Sequence, residues 1–258
     1  MKKPKVVVIG SGKLAYQLFP ALQQTELLDF VQVISPRHHT AASLAATLKC
    51  EVICSLDGIN ESADLIFLAT PDSEIKNISQ QLFQHKGAVI HCSGSISLSD
   101  IQHKDKAVFY PLQTFTKDKK VDFTEVPICL ESSSESLNEL LYKVASAISQ
   151  RVNFINSDQR RYIHLAAIFA CNFSNLMYQI SEDVLKSKDI DPSILHNLIN
   201  ETAGKVQFMP AKEAQTGPAV RRDTKTIDVH RDILKEYPQS FLEIYQLLTK
   251  EIQQNDER

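Results

Sequence analysis

The sequence predicts a doubly wound, mostly parallel α/β sheet followed by an all-helical domain, and three observations carry that reading. Short β-branched runs alternate with segments of helical periodicity through residue 156. A glycine pair, Gly10 and Gly12, stands between the first such run and the first helical segment. After Asn156 the strand-like runs stop and only helical patterns continue.

Each element follows from its local pattern. Val6-Val7-Val8-Ile9 is a continuous apolar run, as suits a strand buried on both faces of a parallel sheet. Residues 13–24 carry Leu14, Leu18, Ala21 and Leu22 at helical spacing. Residues 31–34 read as a second strand, 40–48 as an alanine-rich helix and 51–54 as a third strand. Residues 64–69 form a fourth, stopped by Thr70-Pro71-Asp72 ahead of a helix bearing Ile75, Ile78 and Leu82. Residues 88–92 and 107–110 are the fifth and sixth strands. Two more, at 127–130 and 152–155, flank a helix starting near Ser134. Beyond them, Ser157 or Asp158 is expected to cap one long helix reaching about Lys186. Asp191-Pro192 opens another helix, and Tyr237-Pro238 precedes a stripe of Phe241, Ile244, Tyr245, Leu248 and Ile252. The domains expected are therefore 1–156, binding a dinucleotide, and 157–258, all-helical.

Composition excludes several function classes. The chain has 258 residues, 43% hydrophobic and 23% charged, with a formal net charge of -3. Those values are ordinary for a soluble globular protein, and a slightly acidic chain offers nucleic acid no basic face. No apolar run approaches the roughly 20 residues of a membrane span, and Met1-Lys2-Lys3-Pro4 leads directly into a strand without a signal-peptide pattern. A cytoplasmic location is expected, with neither membrane nor nucleic acid as partner. The five cysteines are scattered, and Cys50 and Cys54 have no second pair to complete a zinc site. They read as free, mostly buried thiols, and no metal is expected.

Gly10-Ser11-Gly12-Lys13-Leu14-Ala15 is the G-x-G-x-x-A form of a dinucleotide fingerprint in its strand–turn–helix context. The first glycine permits the tight turn, and the second lets backbone approach a pyrophosphate. Ala15 lets helix pack on strand, and the helix N-terminus supplies amide donors. A tight strand–helix turn with no ligand is the alternative. The end of the second strand chooses between cofactors. It runs into Ser35-Pro36-Arg37-His38-His39 with no carboxylate for a ribose 2'-hydroxyl. Ser35 and Arg37 suit a 2'-phosphate instead, so NADP is favoured over NAD. Thr70, Pro71 and Asp72 end the fourth strand; Ser93, Gly94 and Ser95 follow the fifth. Loops at that carboxyl edge bind ligands in open α/β sheets. They are assigned to the cofactor, with Ser95 towards the substrate. His91 is read equally as a structural or a functional histidine.

In the second half, Tyr162 to Asn175 is a mostly apolar helix interrupted by His164, Asn172 and Asn175. At a uniform 100° per residue these fall within an arc of roughly 80°. Such groups need partners, either each other or a ligand. Thr216-Gly217-Pro218 is a turn followed by Arg221, Arg222 and Asp223, with Thr226 and His230 one and two turns later. The arginines serve solvent and ion pairs, or clamp an anionic substrate beside Gly217.

The fingerprint together with ATPDSEI, HCSGS, FYPLQTF, YIHLAAIFACNF and TGPAVRRDTKTIDVH resembles the Rossmann-like proteins with a helical C-terminal domain of unknown function, a family described as NADP oxidoreductases. That family is similar at a distance to pyrroline-5-carboxylate reductase, deazaflavin-dependent NADP reductases, and 6-phosphogluconate and hydroxyacid dehydrogenases. The resemblance covers nearly the whole chain. It implies a cofactor cleft between domains and a homodimer through the helical domain. It also implies a substrate pocket lined by His164, Asn172 and the Gly217 to Asp223 loop. The hydroxyacid dehydrogenases carry a catalytic lysine on the corresponding helix, whereas this one has none between Ser157 and Gln179. His164 is then the proton donor, Asn172 orients the substrate, and Arg221 or Arg222 holds its carboxylate or phosphate. The expected function is hydride transfer to or from a small anionic carbonyl or imine compound. A non-catalytic NADP sensor signalling to a partner, and a dehydrogenase of sugar or nucleotide phosphates, are the alternatives.

Overall fold

The computed structural model describes residues 2–117 and 119–255, and the chain divides into two compact units, Met1–Cys171 and Asn172–Arg258. The first is built on eight strands: β1 (Lys5–Ile9), β2 (Asp29–Ile34), β3 (Glu51–Ile53), β4 (Leu65–Leu68), β5 (Ala88–His91), β6 (Lys106–Pro111), β7 (Ile128–Ser132) and β8 (Val152–Phe154). Their order is β3-β2-β1-β4-β5-β6-β7-β8. Every pairing is parallel except β6 with β7, so the last two strands run against the first six. Strand order reverses between β1 and β4, the switch point where such sheets bind ligands.

The alternating side chains of each strand feed two cores. Val6, Val8, Phe67, Ile90 and Phe109 face one side, where α1 (Lys13–Gln24), α2 (His38–Leu48) and α4 (Glu135–Ser146) cover them with Leu18, Leu44 and Leu141. Val7, Ile9, Ile66, Leu68 and Val89 face the other, under Ile75 of α3 (Asp72–Gln81) and under Ile101. A strand buried on both faces must be apolar at every position, which is why the sequence shows runs rather than alternation here.

The division between units falls beyond residue 156 because α5 (Ser157–Ala167) is fastened to the sheet. Its cap is Asn156, neither Ser157 nor Asp158: the Asn156 side chain accepts from the Gln159 amide, and the Gln159 side chain accepts from the Asn156 amide. Ser157 is buried and donates to Glu131 on β7 while accepting from the Leu98 amide. Arg160 is fully buried, reaching Glu131 at 2.5 Å and the Ile96 carbonyl. A charge removed from water is tolerated only when paired and bonded in this way, and removing one partner of such a pair costs several kcal/mol, about 3.

The long helix expected to run to Lys186 is interrupted. A π-turn occupies Ile168–Phe173, and α6 (Ser174–Lys186) begins after it. In that turn the hydrogen bonds run i to i+5, so the constant 100° phase behind the shared arc of His164, Asn172 and Asn175 does not hold. The second unit continues with α7 (His196–Lys205), α8 (Ala211–Ala214), α9 (Thr224–Ile233) and α10 (Gln239–Asn255). The predicted stripe on α10 lines an apolar groove of about 310 Å³ within this unit, with Met177, Ile180 and Ala219 opposite. Among its described residues only Ala219 and Ile227 are buried. All five cysteines are free; Cys92 and Cys129 are buried, but Cys54 and Cys171 are exposed.

Candidate cofactor site and polar edge of the sheet

The carboxyl ends of β1, β2 and β4 surround a cavity of about 770 Å³. Gly10, Ser11, Gly12, Ser35, Arg37, Thr70 and Pro71 all line it, seven of the residues the sequence assigned to a cofactor. Lys13 and Leu14 form the first turn of α1 and lie outside this lining. The two glycines have different reasons. Gly10 adopts φ +106°, and a Cβ there would stand 2.3 Å from the Ala69 carbonyl oxygen. Backbone conformation and the closeness of β4 therefore require it. A Cβ on Gly12 would meet nothing within 4 Å. No protein atom excludes a side chain at Gly12; what its absence does is leave the mouth of the cavity clear above the α1 amides. Those amides have no side-chain cap, so the α1 N-terminus keeps donors for an anion. The groups present therefore fit a dinucleotide pyrophosphate.

At the β2 end, Ser11 Oγ lies 3.1 Å from Ser35 Oγ and 2.7 Å from Thr40 Oγ1. Ser35 Oγ accepts from the Arg37 amide, and Thr40 Oγ1 donates to the Arg37 carbonyl. This network fixes the backbone around Arg37, whose side chain is exposed. Two carboxylates, Asp57 and Glu74, reach the cavity from the loop after β3 and from α3, and neither is on β2. Like Cys54, Ser55, Ile78 and Gln81, they are not assigned to the cofactor by the sequence. Only the register of β3 beside β2 and the direction of α3 place them there. Thr70 Oγ1 is buried in the cavity wall without a hydrogen-bond partner among the described residues.

A second cluster lies further along the same edge, towards β6. Ser95 Oγ donates to Asp72 at the start of α3, and Ser93 Oγ accepts from the Ser95 and Ile96 amides. Ser93 and Gly94 are buried. Tyr110, the penultimate residue of β6, brings its hydroxyl 3.2 Å from His164 Nδ1 on α5. FYPLQTF was noticed in the sequence, yet its tyrosine received no role. The signal was available: Tyr110 shares a strand face with Val108 and ends at the carboxyl edge.

His91 is settled as structural. It is fully buried, Nδ1 accepts from the Ser93 amide, and Nε2 has no partner among the described residues. Burial first, and then the Arg160 charge, hold it down to about 3, so it stays neutral at physiological pH. In the second unit Asn172, Asn175, Arg221 and Arg222 are exposed. Gly217 has φ +110° and Arg222 φ +53°. Asp223 caps α9 through the Thr226 amide and hydroxyl, and His230 bonds Tyr245 at 2.9 Å. Among the described residues no group of acids, histidines and cysteines could hold a metal.

Comparison with known proteins agrees with both halves. Residues 4–91 match the oxidoreductase family with an NAD-binding Rossmann fold, and residues 126–252 match a domain of unknown function, DUF2520. The chain is 35% identical to a protein from Bacteroides fragilis described as a "putative NADP oxidoreductase", covering 98% of each, with a TM-score of 0.91. A Thermotoga maritima protein is 23% identical over 98% of each chain, with a TM-score of 0.71. A 1-pyrroline-5-carboxylate reductase from Streptococcus pyogenes shares the fold at 13% identity, again over 98% of each, with a TM-score of 0.58. No curated protein sequence matches the chain.

The two glycines separate experimentally. Gly10→Ala is expected to lower the urea midpoint by more than 1 kcal/mol in stability, a left-handed φ and a backbone clash both opposing it. Gly12→Ala is expected to leave the midpoint within about 0.5 kcal/mol while weakening dinucleotide binding in a fluorescence titration. Equal destabilisation by both would refute the assignment.

Proposed function

The chain belongs to the family of the Bacteroides fragilis protein, oxidoreductases with an NAD(P)-binding Rossmann domain followed by a domain of unknown function. From that premise we propose that it is an NADP-dependent oxidoreductase acting on a small, anionic carbonyl or imine compound. The observation that carries the reading is the β2 end of the cavity. Ser11, Ser35 and Thr40 fix the backbone at Arg37 there, and the carboxyl end of β2 carries no carboxylate to repel a 2'-phosphate, the cavity's Asp57 and Glu74 coming from other elements. The Gly10 and Gly12 turn and the α1 amides would hold the pyrophosphate. Bound NADP supplies or accepts the hydride; the residues of the chain bind, orient and move protons.

His164 gives or takes the proton at the substrate oxygen or nitrogen. It is half-buried beside Tyr110 and the Ser93–Ser95 loop. Ser95, held by Asp72, offers the substrate a fixed hydroxyl. In the second unit we keep the roles the motifs suggest: orientation for Asn172 and Asn175, anion holding for Arg221 or Arg222 beside Gly217.

The proposal includes a homodimer formed through the helical region. Phe208, Ile194 and Leu198 are 87%, 70% and 62% exposed, more apolar surface than a lone helical unit keeps in water. Among the described residues no helix is long and apolar enough to cross a membrane. A cytoplasmic location and a small-molecule partner are part of the same proposal.

Three measurements test the proposal. Arg37→Ala is expected to weaken NADPH binding about tenfold, the loss of one charge-assisted contact, and to leave NADH binding unchanged. Equal loss for both cofactors would remove the 2'-phosphate assignment. Across a panel of keto and imino acids, His164→Ala is expected to lower kcat at least 10²-fold, roughly the worth of a general acid; retained turnover would remove its role. In sedimentation the protein is expected at twice its 29.0 kDa chain mass, and a monomer would exclude the dimer.

A further inference from the structure

Tyr110 and His164 come from elements far apart in the chain, β6 and α5, and their rings meet edge to face at 6.2 Å and 73°. Gly94 closes the third side. A Cβ there would lie 2.7 Å from His164 Nδ1, 2.7 Å from Tyr110 Cζ and 2.9 Å from its hydroxyl. The pair is therefore seated against bare backbone of the Ser93–Ser95 loop. One turn before His164 on the same helix face, buried Arg160 ties α5 to Glu131 and to the Ile96 carbonyl. Sheet, loop and helix together leave His164 Nδ1 one partner, the tyrosine hydroxyl; Nε2 has none among the described residues.

We propose that Tyr110 is the positioning residue of the proton donor: its hydroxyl occupies His164 Nδ1 so that the proton exchanged with substrate is always the one on Nε2. This rests on the reading of His164 given above. A neutral ring with its proton on Nε2 accepts from the phenol at Nδ1, and a neutral ring with its proton on Nδ1 donates to the phenolic oxygen. When the ring is charged, Nδ1–H donates to the phenolic oxygen. On reduction of substrate the proton leaves Nε2 for the developing anion, the ring is left neutral with its proton on Nδ1, and water returns a proton to Nε2. A hydroxyl suits this because it both donates and accepts, provided that it does not ionise. Burial, with Cys129, Asp72 and Cys171 adding to it against the opposing Arg160 charge, pushes Tyr110 up to about 12, so it remains a phenol. Those four side chains, from β7, α3, the π-turn and α5, act on its hydroxyl through their charge or partial charge, and His164 is the titratable group in direct contact with it.

Tyr110→Phe keeps the ring and its seat against Gly94 and removes only the oxygen. With ¹⁵N-labelled histidine, assigned by His164→Ala, the His164 Nδ1 resonance is expected to move towards that of an unbonded imidazole nitrogen in the Tyr110→Phe protein. This readout needs neither cofactor nor substrate. With any panel compound that turns over, kcat is expected to fall about tenfold, the worth of one neutral hydrogen bond, with KM, NADPH affinity and Tm unchanged. Tyr110→Phe is expected to cost nothing further in the His164→Ala background. An unmoved Nδ1 resonance overturns the proposal, as does a fall in kcat matched by a fall in Tm or a rise in KM. Retained turnover in His164→Ala overturns instead the reading of His164 as proton donor, while the resonance still reports whether Tyr110 holds the ring.

Discussion

The contact on which the rest of the first unit depends is the approach of Gly10 to Ala69. The strand order reverses between β1 and β4, and neighbouring chain ends must diverge there without leaving their ladder. The Ala69 amide still bonds the Ile9 carbonyl at 2.8 Å, and the Gly10 amide bonds the Ile34 carbonyl at 2.8 Å. Gly10 thus completes β-type pairing on one side while turning into α1 on the other. Any side chain would strike the Ala69 carbonyl. From that turn follow the position of the α1 N-terminus, the floor of the cavity and the open space above Gly12.

A second constraint acts on the other half of the sheet. β7 and β8 run against the first six strands, so the carboxyl edge there receives the start of β7 rather than a strand end. Helix α5 covers that face, and a helix covering polar groups must satisfy them. Glu131, Ser157 and Arg160 do so mutually, together with the Ile96 carbonyl, and leave Arg160 Nε as a buried donor without a partner among the described residues. Beneath them His91 is held neutral by its burial first and by the neighbouring Arg160 charge second. The result is a stiff polar floor with Tyr110, Gly94 and His164 at its rim. Preorganisation of this kind would suit the proton donor proposed above, because its geometry is fixed before substrate arrives.

Much of this was legible. The first helix was bounded at residues 13–24 because a glycine precedes it and the apolar spacing is regular, and the structure has the same limits. The central strands β1, β4 and β5 were legible because burial on both faces makes them almost uniformly apolar. The cap at Asn156 was misplaced by one or two residues, since Asn156, Ser157 and Asp158 are all capping types and only the Gln159 reciprocal bond decides among them. The π-turn was invisible. Residues 168–173 carry no glycine or proline to mark a break, and an extra residue in the ladder leaves no compositional mark.

By itself the sequence determined the element types, the dinucleotide turn and the absence of a carboxylate after β2, because each rests on local backbone sterics or on neighbours a few residues away. Tertiary structure alone decided that Gly10 is required by β4 while Gly12 is not. It also decided that His91 is buried beside a charge, that Asp57 and Glu74 reach the cavity, and that Tyr110 meets His164. Those are pairings across tens of residues. Their free energy comes from burial and hydrogen bonding that exist only once the sheet has brought its carboxyl ends to one edge.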